Sequence, residues 1–270
     1  MALTWTNDTR FGVDDVDFRC SFAASTEHEF CVRKSRRLIE ATVDLVAEFP
    51  AARAVEFGIA SGGSTALLAL VARPRTLIAI ERDAAPVEAL RRLIERKELV
   101  DVVRPYYGVD QGDQKQITEI LDAELGHEPL DFVIDDASHR LEETRTAFEV
   151  VFPRLRPGGV YVIEDWNWQL RFRYALARGA DGVPPNRLER IDDADGRDRF
   201  EEYLRENLAR TPLETLGLEL VLTRASSGQV VDDVLFAESW IVVRRGPAAL
   251  DPATFRLADC YSGAPADFVL

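Results

Sequence analysis

Cysteine is scarce in this chain, with three in 270 residues: Cys20, Cys31 and Cys260. They are too widely separated for a zinc set or a disulfide framework, which suits ordinary packed residues of a reducing, cytoplasmic compartment. No apolar run approaches the roughly 20 residues needed to cross a bilayer. The first twenty residues have no basic start and no continuous apolar stretch, so they do not read as a secretory signal. A basic surplus is missing too. The formal net charge of -14 argues against a general grip on nucleic acid and says nothing direct about small-molecule chemistry. The Gly-x-Gly-x-x-Gly turn of dinucleotide folds is absent, as is a phosphate-reaching P-loop lysine. That weighs against a nicotinamide-dependent oxidoreductase. Low-complexity linkers and internal repeats are also lacking.

What is present is enough apolar residue, 46%, for a full core. One domain over residues 1–270 is expected, with an N-terminal arm and helix over 1–49 and a substrate-side insertion over 166–197. Residues 1–24 lack clean periodicity, and the spacing from His28 to Phe49 predicts a helix. Its apolar face makes a homodimer reasonable. Strand-like runs then alternate with amphipathic segments: "ARAVEFG", "RTLIAIE", "VDVVRPYYG", "LDFVIDD" and "PGGVYVIED". The third run is expected to lose its regular part at Pro105. A helix is expected over Phe200–Ala209, then two late strands in "LELVLTR" and "FAESWIVVRR". The core runs are nearly continuous apolar stretches, as burial on both faces of a parallel sheet requires. The fold class is therefore α/β, an open, mostly parallel sheet of about seven strands with one antiparallel edge strand and helices on both faces.

The segment "VEFGIASGGST" lies between the first core strand and a helix. Its glycines let the backbone approach a ligand and its helix start offers free N–H groups. Glu56, Gly58, Ser61, Gly62 and Ser64 are the candidate cradle. Glu81 ends the second strand, where a carboxylate can accept hydrogen bonds from both hydroxyls of a ribose. After the third strand, Asp110 or Gln111 could read an adenine edge, and the residues do not choose between them. Asp135, at the fourth strand end, is placed toward the same ligand.

Acids also end two further strands, in "VIDDASH" and "YVIEDW". If these strands are neighbours about 4.8 Å apart, Asp136, Glu164 and Asp165 can converge. Uncompensated, they repel, and a hard divalent ion such as Mg2+ removes that cost. His139 lies close by and could take a proton from a metal-held hydroxyl. Trp166 and Trp168 could wall an organic pocket or pack in the core. The acidic stretch Leu188–Glu202 reads as a solvated loop or as a lid.

Taken in order, "EFGIASGGS", "IERD", "GVDQGDQ", "VIDDASH" and "LRPGGVYVIEDW" resemble the class I S-adenosylmethionine-dependent methyltransferases, of Rossmann-like fold. The nearer resemblance is to the metal-dependent sugar O-methyltransferases of the macrocin and mycinamicin type, over roughly residues 50–170. That resemblance implies S-adenosylmethionine and magnesium as cofactors. It implies cofactor contacts from Gly58, Glu81 and Asp135, metal ligands in Asp136, Glu164 and Asp165, and His139 as general base. The expected partner is a small-molecule hydroxyl acceptor, a sugar or glycosylated natural product, with no nucleic acid or membrane. A catechol-like or nitrogen acceptor, or a non-catalytic S-adenosylmethionine-binding protein, is the alternative.

Overall fold

A computed structural model of the protein describes residues 3–177, 204–237 and 239–262, together with Glu202. Two sheets organise them. The larger has seven strands: β5 (Arg53–Phe57), β6 (Thr76–Glu81), β7 (Val103–Tyr107), β8 (Leu130–Asp135), β9 (Leu155–Glu164), β10 (Val231–Phe236) and β11 (Trp240–Arg245). Their spatial order is β10-β11-β9-β8-β5-β6-β7. The five strands from β5 to β9 run parallel, and β11 turns antiparallel against β9, with β10 antiparallel outside it. One strand, β11, thus runs against the other six at this edge of the sheet, and β10, its hairpin partner, runs with them.

Why the central strands read as unbroken apolar runs is visible in the packing. Successive residues of β9 alternate between two cores: Val160 and Val162 enter one, Tyr161 and Ile163 the other. Helices α1 (Arg36–Val46), α2 (Gly63–Val71) and α3 (Glu88–Arg96) supply side chains to the first core. Helices α4 (Gln114–Leu125), α5 (Leu141–Val151) and α7 (Glu214–Ser226) supply the second. Helix α6 (Trp168–Ala177) and residues 204–208, also helical, build a small third cluster around Trp168, Phe172 and Leu204.

Three expectations are corrected. Residues 4–32 form a second, four-stranded sheet: β1 (Thr4–Trp5), β2 (Arg10–Val13), β3 (Val16–Cys20) and β4 (Glu29–Val32). Phe30 therefore lies in a strand, not a helix, and packs its ring at a tilt against Phe18 within the first core. The helix begins only at Arg36, where the Ser35 hydroxyl accepts from the Leu38 N–H and stops the chain from continuing as strand. The segment "LELVLTR" lies within α7. Leu216, Leu220 and Thr223 are buried at helical spacing, and the late strand comes afterwards, at Val231. Pro105 sits inside β7 rather than ending it. That is tolerated because β7 is the sheet edge, where a missing N–H costs no ladder bond. The lid expected over 188–202 and most of the 166–197 insertion lie outside the described residues.

Candidate functional site

The chain enters the large sheet at an interior strand, β5, moves outward through β6 and β7, and returns to lay β8 on the other side of β5. Open sheets gather ligands where the order reverses, outside the carboxyl ends of the strands. Here that crevice lies between β5 and β8, and Gly58 and Asp136 face each other across it. Asp136 donates its N–H to the Phe57 carbonyl at 3.0 Å. Gly58 has φ +97°, and a Cβ there would stand 2.2 Å from the Asp136 carbonyl oxygen. Only glycine allows this approach. A cavity of about 910 Å³ opens above it.

One wall is the glycine turn. Gly58, Ser61 and Ser64 line it, and α2 starts there at Gly62 without a side-chain cap, so its first N–H groups are free to meet a ligand. Ser61 donates its hydroxyl to the Cys31 carbonyl at 3.0 Å and ties the turn to the N-terminal sheet. Glu81 lines the same cavity. Its Oε2 accepts from the Ala60 N–H at 2.7 Å and Oε1 from the Asp83 N–H at 3.0 Å, which aims the carboxylate. Asp110 is on the rim, exposed and 3.6 Å from Arg82.

Three sequence-nominated residues stand behind the wall. Glu56 is buried and accepts from the Thr65 hydroxyl at 2.6 Å. Burial pushes its carboxyl up to about 7, against the pull of Thr65 and Ser64. Asp135 is buried too; Gln111 Nε2 donates to both its oxygens at 2.6 Å and the Tyr161 hydroxyl donates at 2.9 Å. Burial pushes Asp135 up to about 6. Gln111 lines the cavity, but its amide is spent on this network: Oε1 accepts from the Ser138 N–H at 3.2 Å. It braces the loop that carries His139. Glu164 is the third.

The acids meet as the strand order requires. β8 and β9 are parallel neighbours, so Asp136 and Glu164 emerge side by side. One ligand atom each from Asp136, His139 and Asp165 lies within 4.8 Å of the others. His139 Nε2 is 3.7 Å from Asp136 Oδ1. Both His139 (φ +52°) and Asp165 (φ +50°) adopt the left-handed backbone region, which is uncommon outside glycine and is tolerated best by Asn, Asp and His. Trp168 holds the first of these turns by donating its indole N–H to the His139 carbonyl at 2.9 Å. Trp166 instead packs edge-on against Phe236 and does not line the cavity.

A residue the sequence did not nominate occupies the centre. The Lys34 ammonium donates to Asp136 Oδ2 at 2.5 Å and to Glu164 Oε2 at 2.6 Å. Burial disfavours its charge, but the two carboxylates more than restore it and hold Lys34 above the ordinary lysine range. Burial opposes the charge of Asp136 as well; Lys34 and His139 outweigh it and lower that carboxyl. Glu164 is raised by burial and then by the Asp136 charge. Its second oxygen, Oε1, is buried and has no hydrogen-bond partner among the described residues. In "CVRKSRR" Lys34 is one basic residue among four, and nothing local marks it as buried.

The sheet order, with its reversal at β5 and its antiparallel outer hairpin, defines the class I methyltransferase fold. Residues 55–166 match the family model described as a methyltransferase domain. The SAH-bound methyltransferase PaMTH1 of Podospora anserina superposes with a TM-score of 0.51 at 15% identity, covering 78% of this chain and 79% of that one. Within the class, the chain resembles the macrocin- and mycinamicin-type O-methyltransferases. It is 55% identical over 56 residues to demethylmacrocin O-methyltransferase of Streptomyces fradiae, 21% of this chain and 13% of that enzyme. It is 50% identical over 56 residues to 8-demethyl-8-alpha-L-rhamnosyl tetracenomycin-C 2'-O-methyltransferase of Streptomyces olivaceus, 21% of this chain and 14% of that enzyme. The matched segment therefore spans about an eighth of the length of these curated relatives. Among the described residues no helix is long and apolar enough to cross a membrane.

Proposed function

We propose that the protein transfers a methyl group from S-adenosylmethionine to a hydroxyl of a small glycosylated acceptor, with a divalent ion at the acids. The observation that carries this is the convergence of Asp136, His139 and Asp165 on one cavity with the glycine turn and Glu81. The relatives' names support the acceptor class, since one acts on a rhamnosylated tetracenomycin.

The residues fit both groups. Glu81 presents a fixed carboxylate across from the free helix start, as a nucleoside with a charged tail needs. The acid set offers hard oxygen donors, and Glu164 Oε1 is a buried acceptor without a hydrogen-bond partner among the described residues. Asp136, Glu164 and Asp165 would hold the ion. When bound, S-adenosylmethionine supplies an electrophilic methyl and the divalent ion acidifies a hydroxyl and fixes its oxygen.

The chain's own side chains do the rest. Glu81 and the glycine turn orient the nucleoside end, which is an entropic contribution to rate. His139 Nε2 accepts the proton that the attacking hydroxyl loses. The Asp136 carboxylate, 3.7 Å from that nitrogen, stabilises the imidazolium that results. Trp168 and Leu204 cover the cavity with apolar surface. The test is transfer of a labelled methyl from S-adenosylmethionine to a panel of glycosides, with magnesium or with chelator. The expected result is metal-dependent transfer that falls about 10²–10⁴-fold in kcat in His139→Ala, with S-adenosylmethionine affinity retained. Failure to bind S-adenosylmethionine by calorimetry would refute the reading.

A further inference from the structure

We propose that Lys34 is an internal cation that fills the place between Asp136 and Glu164 and is displaced when a divalent ion binds there. This deepens the metal part of the proposed function and rests on it. Lys34 would be a positioning residue and would not touch the reacting atoms.

Its backbone is anchored on both sides. The preceding strand β4 is paired with β3, and the following residue, Ser35, caps α1. Only the side chain is left to move. That side chain is 5% exposed, and its Nζ takes one oxygen from each acid, Asp136 Oδ2 and Glu164 Oε2. An ammonium donates along a few directions and cannot gather oxygens as a divalent ion gathers six or more. The structure carries the mark of this incomplete filling: Glu164 Oε1 is buried and has no hydrogen-bond partner among the described residues.

Both cations cannot use the same oxygens. An ion held between Asp136 and Glu164 would lie against an ammonium already at hydrogen-bond distance from both, and the two would repel. The exit exists, because Lys34 lines the cavity, whereas Glu164 does not. A turn of the side chain toward the cavity would expose Glu164 to the ion without moving β4. Lys34 thereby lets the acids fold together without metal, at the expense of metal affinity.

The test compares Mn2+ binding, by electron paramagnetic resonance and calorimetry, in the wild type and in Lys34→Gln, which keeps a donor but removes the charge. The expected result is at least tenfold tighter binding in the variant and a larger rise of its melting temperature with Mg2+. A second measurement uses the wild type alone: the nitrogen-15 signal of the buried Lys34 ammonium should vanish or shift to a solvent-exposed position as Mg2+ is added. Equal or weaker binding in the variant, or a buried ammonium signal unchanged at saturating Mg2+, overturns the exchange and leaves the methyltransferase reading standing. No metal binding by either protein overturns the exchange and the metal role together. If Lys34→Gln does not fold, the wild-type signal decides.

Discussion

Glu56 should make stability depend on pH in a way that one isosteric substitution removes. Its carboxyl is 1% exposed at the end of β5, behind the glycine turn, and has the hydroxyls of Thr65 and Ser64 for company. Burial raises it from an ordinary value of 4.5 to about 7. Because the folded value lies above the unfolded one, the folded state holds this proton more tightly. The stability associated with the neutral form is fully present below about pH 4.5 and is lost as pH rises through about 7. The displacement corresponds to about 3 kcal/mol between the two limits. Glu56→Gln keeps the shape, keeps an acceptor for Thr65 and cannot ionise. Urea unfolding of both proteins from pH 4 to pH 8.5 should show near-equal stability at the acid end. The variant should then gain on the wild type by up to about 3 kcal/mol at the basic end. Comparing the two at each pH removes the contributions of Asp135 and Glu164, which both retain. Parallel curves across the whole range would refute the reasoning, because the Glu56 carboxyl would then titrate alike folded and unfolded.

Three further outcomes follow from single contacts. Gly58→Ala places a methyl 2.2 Å from the Asp136 carbonyl at φ +97°. It should lose roughly 3 kcal/mol or more of stability, together with S-adenosylmethionine binding, in thermal melts and calorimetry. Tyr161→Phe removes a donor from the buried Asp135 carboxylate. It should cost about 1–3 kcal/mol in urea unfolding, and an unaltered midpoint would show that Gln111 alone satisfies that acid. Trp168→Phe deletes the indole donor to the His139 carbonyl while keeping the apolar bulk. It should lower kcat about tenfold by loosening the placement of His139, with the KM for S-adenosylmethionine unchanged.

The central strands were legible because parallel pairing buries both faces. Val160 to Ile163 must all be apolar when alternate side chains enter different cores. The α4 segment was legible as well: "QKQITEILDAEL" is helical from Gln114 to Leu125. The N-terminal sheet was not, because its strands are two to five residues long. Over so few residues, a period of two cannot be told from chance. "LELVLTR" misled for a related reason. Leu218 and Val221 are exposed on α7 while Glu219 and Thr223 are buried, so the apolar pattern of the run does not follow the buried spacing of Leu216, Leu220 and Thr223.

At the site, local sequence determined where the chemistry-bearing residues stand along the chain: acids and glycines at strand ends, a histidine three residues past Asp136, a capless helix start after Gly62. Strand order decided which of them meet. It set Asp136 beside Glu164 and across from Gly58, and it put Glu56 and Asp135 behind the wall although their neighbours line the cavity. Only the tertiary structure could bring in Lys34, 102 residues from Asp136 and 130 from Glu164. A periodic pattern records which face of an element is buried. It holds no record of which distant charge will lie against that face, because that depends on how separate sheets dock, and docking is settled by the packing of the whole core.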